Sequence, residues 1–289
     1  MNTISFPGLG LTFSINRVAF SIGTFDIYWY GVIIALGFVL GVLFCRSQAP
    51  KFGLKGDDII DMILFAAPGG IIGARLYYII FNPELYVTPE GGLDLKACLN
   101  THNGGLAIYG GIIAGVLIAW GVARYKKIPF PALADVCAFG LLIGQIAGRW
   151  GNFVNAEAHG GPTDLPWRMG IETAGQYMEV HPTFLYESLW NLIGFCLLLW
   201  LLHKGLRAFD GMYFLLYVAW YGLGRGFIEG LRTDSLYFFS TGIRTSQMVA
   251  FLSCAVAVIL ILLKLRTHPK PEALYVNQQK QKEQTGEET

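Results

Sequence analysis

Ile27-Tyr28-Trp29-Tyr30-Gly31-Val32-Ile33-Ile34-Ala35-Leu36-Gly37-Phe38-Val39-Leu40-Gly41-Val42-Leu43-Phe44 is an apolar run without a single charged side chain. A helix needs about 20 such residues to cross the hydrocarbon core of a bilayer, so this stretch is read as a transmembrane span. Runs of the same character follow at 59–81, 106–122, 132–150, 184–202, 211–230 and 247–263. The composition agrees: 54% of the 289 residues are hydrophobic and 14% are charged, where a soluble domain carries roughly a quarter charged. The fold class expected is therefore an all-α polytopic membrane protein with about seven transmembrane helices. Residues 1–266 form a single membrane domain with extracytoplasmic loops around 83–103 and 158–183, and 267–289 form a polar cytoplasmic tail that is expected to be disordered.

Lysine and arginine counts in alternate loops set the orientation. Thirteen lie on one side, among them Arg46, Lys51, Arg124, Lys126, Lys204, Arg207 and Lys264, and five on the other: Arg17, Lys96, Arg168, Arg232 and Arg244. The richer side is expected to be cytoplasmic, with the N-terminus outside and the C-terminus inside. Three arginines remain within or at the outer ends of spans: Arg75, Arg149 and Arg225.

Several functions are excluded or disfavoured. A net charge of +1 argues against a nucleic-acid partner, which calls for a basic surplus. The five cysteines are scattered without C-x-x-C, and the five histidines show no ligand spacing, so no metal or other cofactor is indicated. No G-x-S-x-G elbow is present. The many small-x-x-x-small patterns, such as Gly37/Gly41 and Gly140/Gly144/Gly148, are first of all helix-packing features.

The polar chemistry gathers in a few places. The fourth span ends Gly148-Arg149-Trp150-Gly151-Asn152-Phe153-Val154-Asn155-Ala156-Glu157-Ala158-His159-Gly160, which is unsuited to lipid and must face protein or a wet cavity. In the sixth span Tyr217, Tyr221, Arg225, Glu229 and Arg232 fall at helical spacing and make one stripe. An isolated Arg225–Glu229 pair would do no more than neutralise itself for insertion; two such constellations on two helices favour a site. His181-Pro182-Thr183 opens the fifth span as a capping turn, and Glu187 just beyond it needs a partner. Planar guanidiniums at headgroup depth suit a phospholipid phosphate. A lipid or anion transporter is the alternative, although its arginines belong near the midplane rather than at span ends.

These residues resemble the prolipoprotein diacylglyceryl transferase family. The similarity lies in Gly148-Arg149-x-Gly151-Asn152-Phe153-x-Asn155-x-Glu157-x-x-Gly160, in Trp29-Tyr30-Gly31, Gly73-Ala74-Arg75 and the Gly104 to Gly111 stretch, in His181-Pro182-Thr183-x-Leu185-Tyr186-Glu187, and in Tyr221-Gly222-x-x-Arg225-x-x-x-Glu229-x-x-Arg232. It implies transfer of the diacylglyceryl group of phosphatidylglycerol to the thiol of a lipobox cysteine in a prolipoprotein signal peptide. A thioether forms and glycerol phosphate is released, at the outer leaflet of the bacterial cytoplasmic (inner) membrane. Carried over by residue, Arg149 and Arg225 bind the phosphate, and Tyr30 and Asn152 position the headgroup. Gly160 keeps the shape, and Glu157 and Glu229 orient the arginines or move a proton. Arg75, Asn155, His181, Glu187, Tyr221 and Arg232 complete the substrate-binding set. Many members of that family carry His where this chain has Tyr109. A tyrosine hydroxyl, with a pKa near 10, is a poorer base at neutral pH, so Tyr109, His102, Glu157 and Glu229 all stand as candidates.

Overall fold

The computed structural model describes residues 2–87, 92–101, 104–173, 175–233 and 244–285. In chain order the elements are β1 (Asn2–Phe6), β2 (Leu11–Ile15), β3 (Val18–Ile22), β4 (Phe25–Tyr28), α1 (Trp29–Gln48), α2 (Gly56–Phe81), α3 (Leu95–Leu99), α4 (Ile108–Tyr125), α5 (Phe130–Asn155), β5 (Met169–Thr173), β6 (Gln176–Val180), α6 (Thr183–His203), α7 (Met212–Glu229), α8 (Thr245–Arg266) and α9 (Tyr275–Thr285). The expected spans correspond to α1, α2 and α4 to α8. Six of these helices are long and apolar enough to cross a membrane; α7 is the exception, because Arg225 and Glu229 dilute its 18 residues. The molecule is a multi-pass membrane protein.

The helices pack by removing side chains where backbones meet. A Cβ on Gly41 of α1 would lie 3.0 Å from the carbonyl oxygen of Gly140 in α5, and one on Gly110 of α4 would lie 2.4 Å from that of Gly73 in α2. Helix α5 is central, lying against α1, α6 and α7, and its Leu133, Val136, Phe139 and Leu142 are fully buried with Tyr213 and Phe52.

The helical bundle expected from the sequence carries short strands at one end. Strands β2, β1, β5 and β6 form an antiparallel sheet in that order, with Ile4 opposite Ile171, and β3 pairs with β4 as a separate hairpin leading into α1. Ile4 and Phe6 alternate with Thr3 and Ser5, and the inward set buries against Met169, Ile171, Val180 and Phe184. The ring of Phe6 stacks on Phe153 in the last turn of α5, which seats the sheet on the ends of α5 and α6.

A further element lies at the opposite end. Part of the tail expected to be disordered forms a 3-10 turn at Pro271–Ala273 followed by α9. Fully buried Asp135 of α5 accepts the backbone N–H groups of Gly211 (2.8 Å) and Phe214 (2.9 Å), capping α7, and pairs with Arg207 at 3.2 Å. Arg207 also pairs with Asp210, whose other oxygen accepts the Tyr275 N–H at 3.0 Å. Leu274 is buried beside this lock, so α9 begins docked rather than free.

Candidate active site

The last turn of α5 delivers Arg149 and Asn152. It stops because Ala156 adopts a left-handed conformation (φ +55°), which turns Glu157 back so that its N–H donates to the Asn152 carbonyl at 3.0 Å. Asn152 then relays between neighbours: its Oδ1 accepts from Arg149 Nη1 at 3.3 Å and its Nδ2 donates to Glu157 Oε1 at 3.0 Å. Helix α6 starts where the Thr183 hydroxyl donates to the Ala158 carbonyl at 2.6 Å, and this places Glu187 one turn inside the bundle.

Glu187, 3% exposed, is the hub. One carboxylate oxygen pairs with Arg149 of α5; the other accepts from Arg225 of α7 at 2.8 Å, with Arg232 at 3.6 Å. Arg225 also pairs with Glu229, itself buried and 4.0 Å from Arg232. Arg232 is brought in by main-chain stitching: Gly161 N–H donates to the Leu231 carbonyl at 2.9 Å, Gly160 N–H donates to the His181 carbonyl at 3.0 Å, and Gly160 bridges Arg232. A Cβ on Gly160 would lie 2.6 Å from that of His181, so no larger residue fits this junction without movement. Tyr30, at the start of α1, lies against Gly151, where a Cβ would come within 2.7 Å of its ring. Three helices and two loops thus converge on Arg149, Glu187 and Arg225.

The donors decide what this cluster can do. A guanidinium carries five N–H groups. Among the described residues Arg149 and Arg225 each engage two protein partners, leaving three N–H groups apiece for a ligand. Both side chains keep some exposure, 19% and 16%, so the cluster is reachable. Arg75 behaves in the opposite way. All five of its donors go to backbone carbonyls, those of Cys98, Gly104, Gly105, Ala97 and Asn100 at 2.6–3.1 Å, and its guanidinium lies 5.0 Å from the Tyr86 ring centroid. Arg75, expected among the substrate-binding residues, spends its donors on the backbone: it ties α3 and the segment after it to α2.

The remaining candidates are dispersed around the hub. Tyr221 is half-buried one turn before Arg225 and stacks on Tyr217. The His181 ring meets the Tyr186 hydroxyl at 3.3 Å, and the Asn155 carbonyl accepts from Arg17 at 3.0 Å. Tyr109 opens α4, is 46% exposed, and its hydroxyl has no hydrogen-bond partner among the described residues. His102 lies outside the described residues. Arg244, which donates to the Glu229 carbonyl, and Asn191 and Gln145, one turn inward from Glu187 and Arg149, were not singled out from the sequence. A search for polar side chains four residues from the intramembrane charges would have found the last two.

A polytopic helical protein that holds paired guanidiniums on a buried carboxylate at one end of its bundle defines a class: multi-pass membrane proteins with a charged cluster among their helices. The sequence profile of the prolipoprotein diacylglyceryl transferase family matches residues 17–263, and the chain belongs to that family. It is 44% identical over 254 residues to the phosphatidylglycerol–prolipoprotein diacylglyceryl transferase of Clostridium botulinum (strain 657 / Type Ba4), covering 85% of this chain and 97% of that one. The corresponding proteins of Oceanobacillus iheyensis (42% over 266 residues; 88% and 89% covered) and Clostridioides difficile strain 630 (41% over 244 residues; 84% and 93%) are similar along nearly the same length.

Proposed function

We propose that this protein transfers the diacylglyceryl group of phosphatidylglycerol to the thiol of a lipobox cysteine in prolipoproteins. The observation that carries the reading is the convergence of Arg149 and Arg225 on Glu187 with N–H donors to spare. In the reaction the cysteine sulfur attacks the glyceryl carbon that bears the phosphate. A C–S bond forms, the C–O bond to phosphate breaks, the thiol proton is released, and glycerol phosphate leaves with the electron pair. Negative charge grows on the phosphate oxygens as that bond breaks, and two preorganised guanidiniums lower its cost. Glu187 fixes both arginines before substrate arrives, so little reorganisation is needed.

The cationic cluster also favours the thiolate over the thiol, whose usual pKa is near 8.5. Glu187 and Glu229 are paired with arginines, whereas Glu157 is exposed and held by the neutral Asn152. Glu157 is therefore assigned the proton transfer ahead of Tyr109. Tyr30, Asn152, Tyr221 and Arg232 frame the headgroup, with Asn155, His181 and Gly160 shaping the rim. The basic loop ends are assigned to the cytoplasm and the arginine cluster to the outer leaflet of the bacterial inner membrane, residues 1–266 being the catalytic domain.

Mass spectrometry of a lipobox peptide incubated with purified protein and phosphatidylglycerol tests the reading. The peptide is expected to gain one diacylglyceryl group, and Arg149→Ala or Arg225→Ala to abolish the gain while the protein still inserts. Lipid movement without any adduct would establish a transporter instead, and full activity in both variants would refute the assignment of the arginines.

A further inference from the structure

The interior formed by α5, α6 and α7 changes character in steps below the arginines. One helical turn inward from Arg149, Glu187 and Arg225, about 5.4 Å along the axis, stand Gln145, Asn191 and Tyr221. Asn191 lies on the buried stripe of α6 that carries Glu187 and is 2% exposed, yet its amide makes no hydrogen bond with any described residue. Gln145 donates to the Tyr217 hydroxyl at 2.9 Å, and its Oε1 is buried without a partner among the described residues. The two ends of an amide are interchangeable by a flip: turned over, Gln145 accepts from Tyr217 and presents its own N–H groups inward. Buried amide groups left without partners are rare in proteins, and here the Asn191 amide and the Gln145 Oε1 stand on neighbouring helices at one level.

About one further turn inward the lining becomes apolar. Leu142, Gly194, Leu197, Leu198, Leu216 and Trp220 enclose a cleft of about 170 Å³, which Tyr217 also lines. A Cβ on Gly194 would lie 2.5 Å from Trp220, whose indole stacks on Trp190, so the cleft wall is close-fitted at the glycine. The order from the bundle end inward is cationic, neutral hydrogen-bonding, then hydrocarbon. That is the order of groups along a diacyl glycerophospholipid: phosphate, ester carbonyls, acyl chain.

The geometry points to one occupant for all three levels: the donor lipid, with its ester carbonyls accepting from the amides of Asn191 and Gln145 and one acyl chain in the cleft between α6 and α7. This assignment rests on the transferase reading above and makes Asn191 a specificity residue for ester-linked lipid. The levels are continuous, because Tyr217 both bonds Gln145 and lines the cleft, and stacks on Tyr221 beside the arginine level.

The test uses the purified full chain in detergent, a lipobox peptide, and three phosphatidylglycerols: a dioleoyl diester, its diether counterpart lacking the carbonyls, and a dihexanoyl diester. The unaltered protein is expected to show a KM for the diether about a hundredfold above that for the diester, the loss due to two hydrogen bonds. Asn191→Leu should raise the diester KM about tenfold, leave the diether KM and kcat unchanged, and so narrow the preference to the roughly tenfold part that Gln145 supplies; Asn191→Ser should restore part of the rest. Leu197→Trp should raise KM for the dioleoyl lipid and spare the dihexanoyl one. Equal use of diester and diether by the unaltered protein, or a full diester preference in Asn191→Leu, overturns the assignment. If thermal melting shows Asn191→Leu unfolded, Asn191→Ser decides by the same comparison. Absence of transfer from all three lipids by the unaltered protein would instead sink the transferase reading itself.

Discussion

At the scale of single residues, Glu187 carries the largest consequence. Removing its charge leaves Arg149 and Arg225 buried without the carboxylate that holds them, and breaking a buried pair costs about 3–5 kcal/mol. Glu187→Gln is expected to melt well below the unaltered protein and to lose transfer by at least about a hundredfold, measured by thermal shift and by peptide lipidation; unchanged values of both would show that Glu187 is not the hub. Tyr109→Phe is expected to retain transfer within about twofold, because the exposed hydroxyl bonds to no described residue. A collapse of the rate would return the proton transfer to Tyr109. These residues differ in how far the sequence discloses them. Arg149, Arg225 and Glu187 are each conspicuous as charges inside apolar spans, and the cost of such charges already demands partners. Which partner each one takes depends on helix packing, so Arg75 resembles the other arginines in sequence and differs from them entirely in its bonds.

At the scale of elements, hydropathy locates the long helices, because a span must satisfy its own backbone and carry few charges. The N-terminal sheet gives no comparable signal. Its strands are five residues long, and β1 finds β5 across more than half the chain, a pairing that no local pattern encodes. The docking of α9 is equally silent, since it depends on a main-chain N–H meeting Asp210. Gly160→Val should disrupt the stitching of the loop after α5 to the end of α7, placing Arg232 wrongly and lowering transfer about tenfold or more; the helix content, read by circular dichroism, should not change. On the other face of the bundle, Lys126 holds Asp58 and Asp61 at 2.8 and 2.5 Å, and these hydrogen bonds raise its pKa above the usual 10.5. The raised value means this contribution is intact below pH 10.5 and is lost only as pH climbs through the higher folded-state value. The difference in melting temperature between Lys126→Met and the unaltered chain should consequently stay constant between pH 6 and 9.

At the scale of the whole molecule, charge is segregated: the arginine cluster sits at the sheet end, while Arg46, Arg124, Lys126 and Lys264 crowd the opposite helix ends. The proposed orientation follows from the positive-inside rule applied to that segregation. Alkaline phosphatase fused after residue 266 should be inactive and a fluorescent protein there bright; the reverse would invert the proposed orientation. A further consequence follows from the Arg75 clamp. Because that guanidinium grips only carbonyl oxygens, it is indifferent to what Ala97, Cys98 and Asn100 carry as side chains. Ala97 and Cys98 can therefore drift, and a saturation library should recover many amino acids at 97 and 98. Gly105 should be the fixed point, since its φ of +78° and the 2.2 Å that would separate a Cβ from the clamp's nitrogen both forbid a replacement.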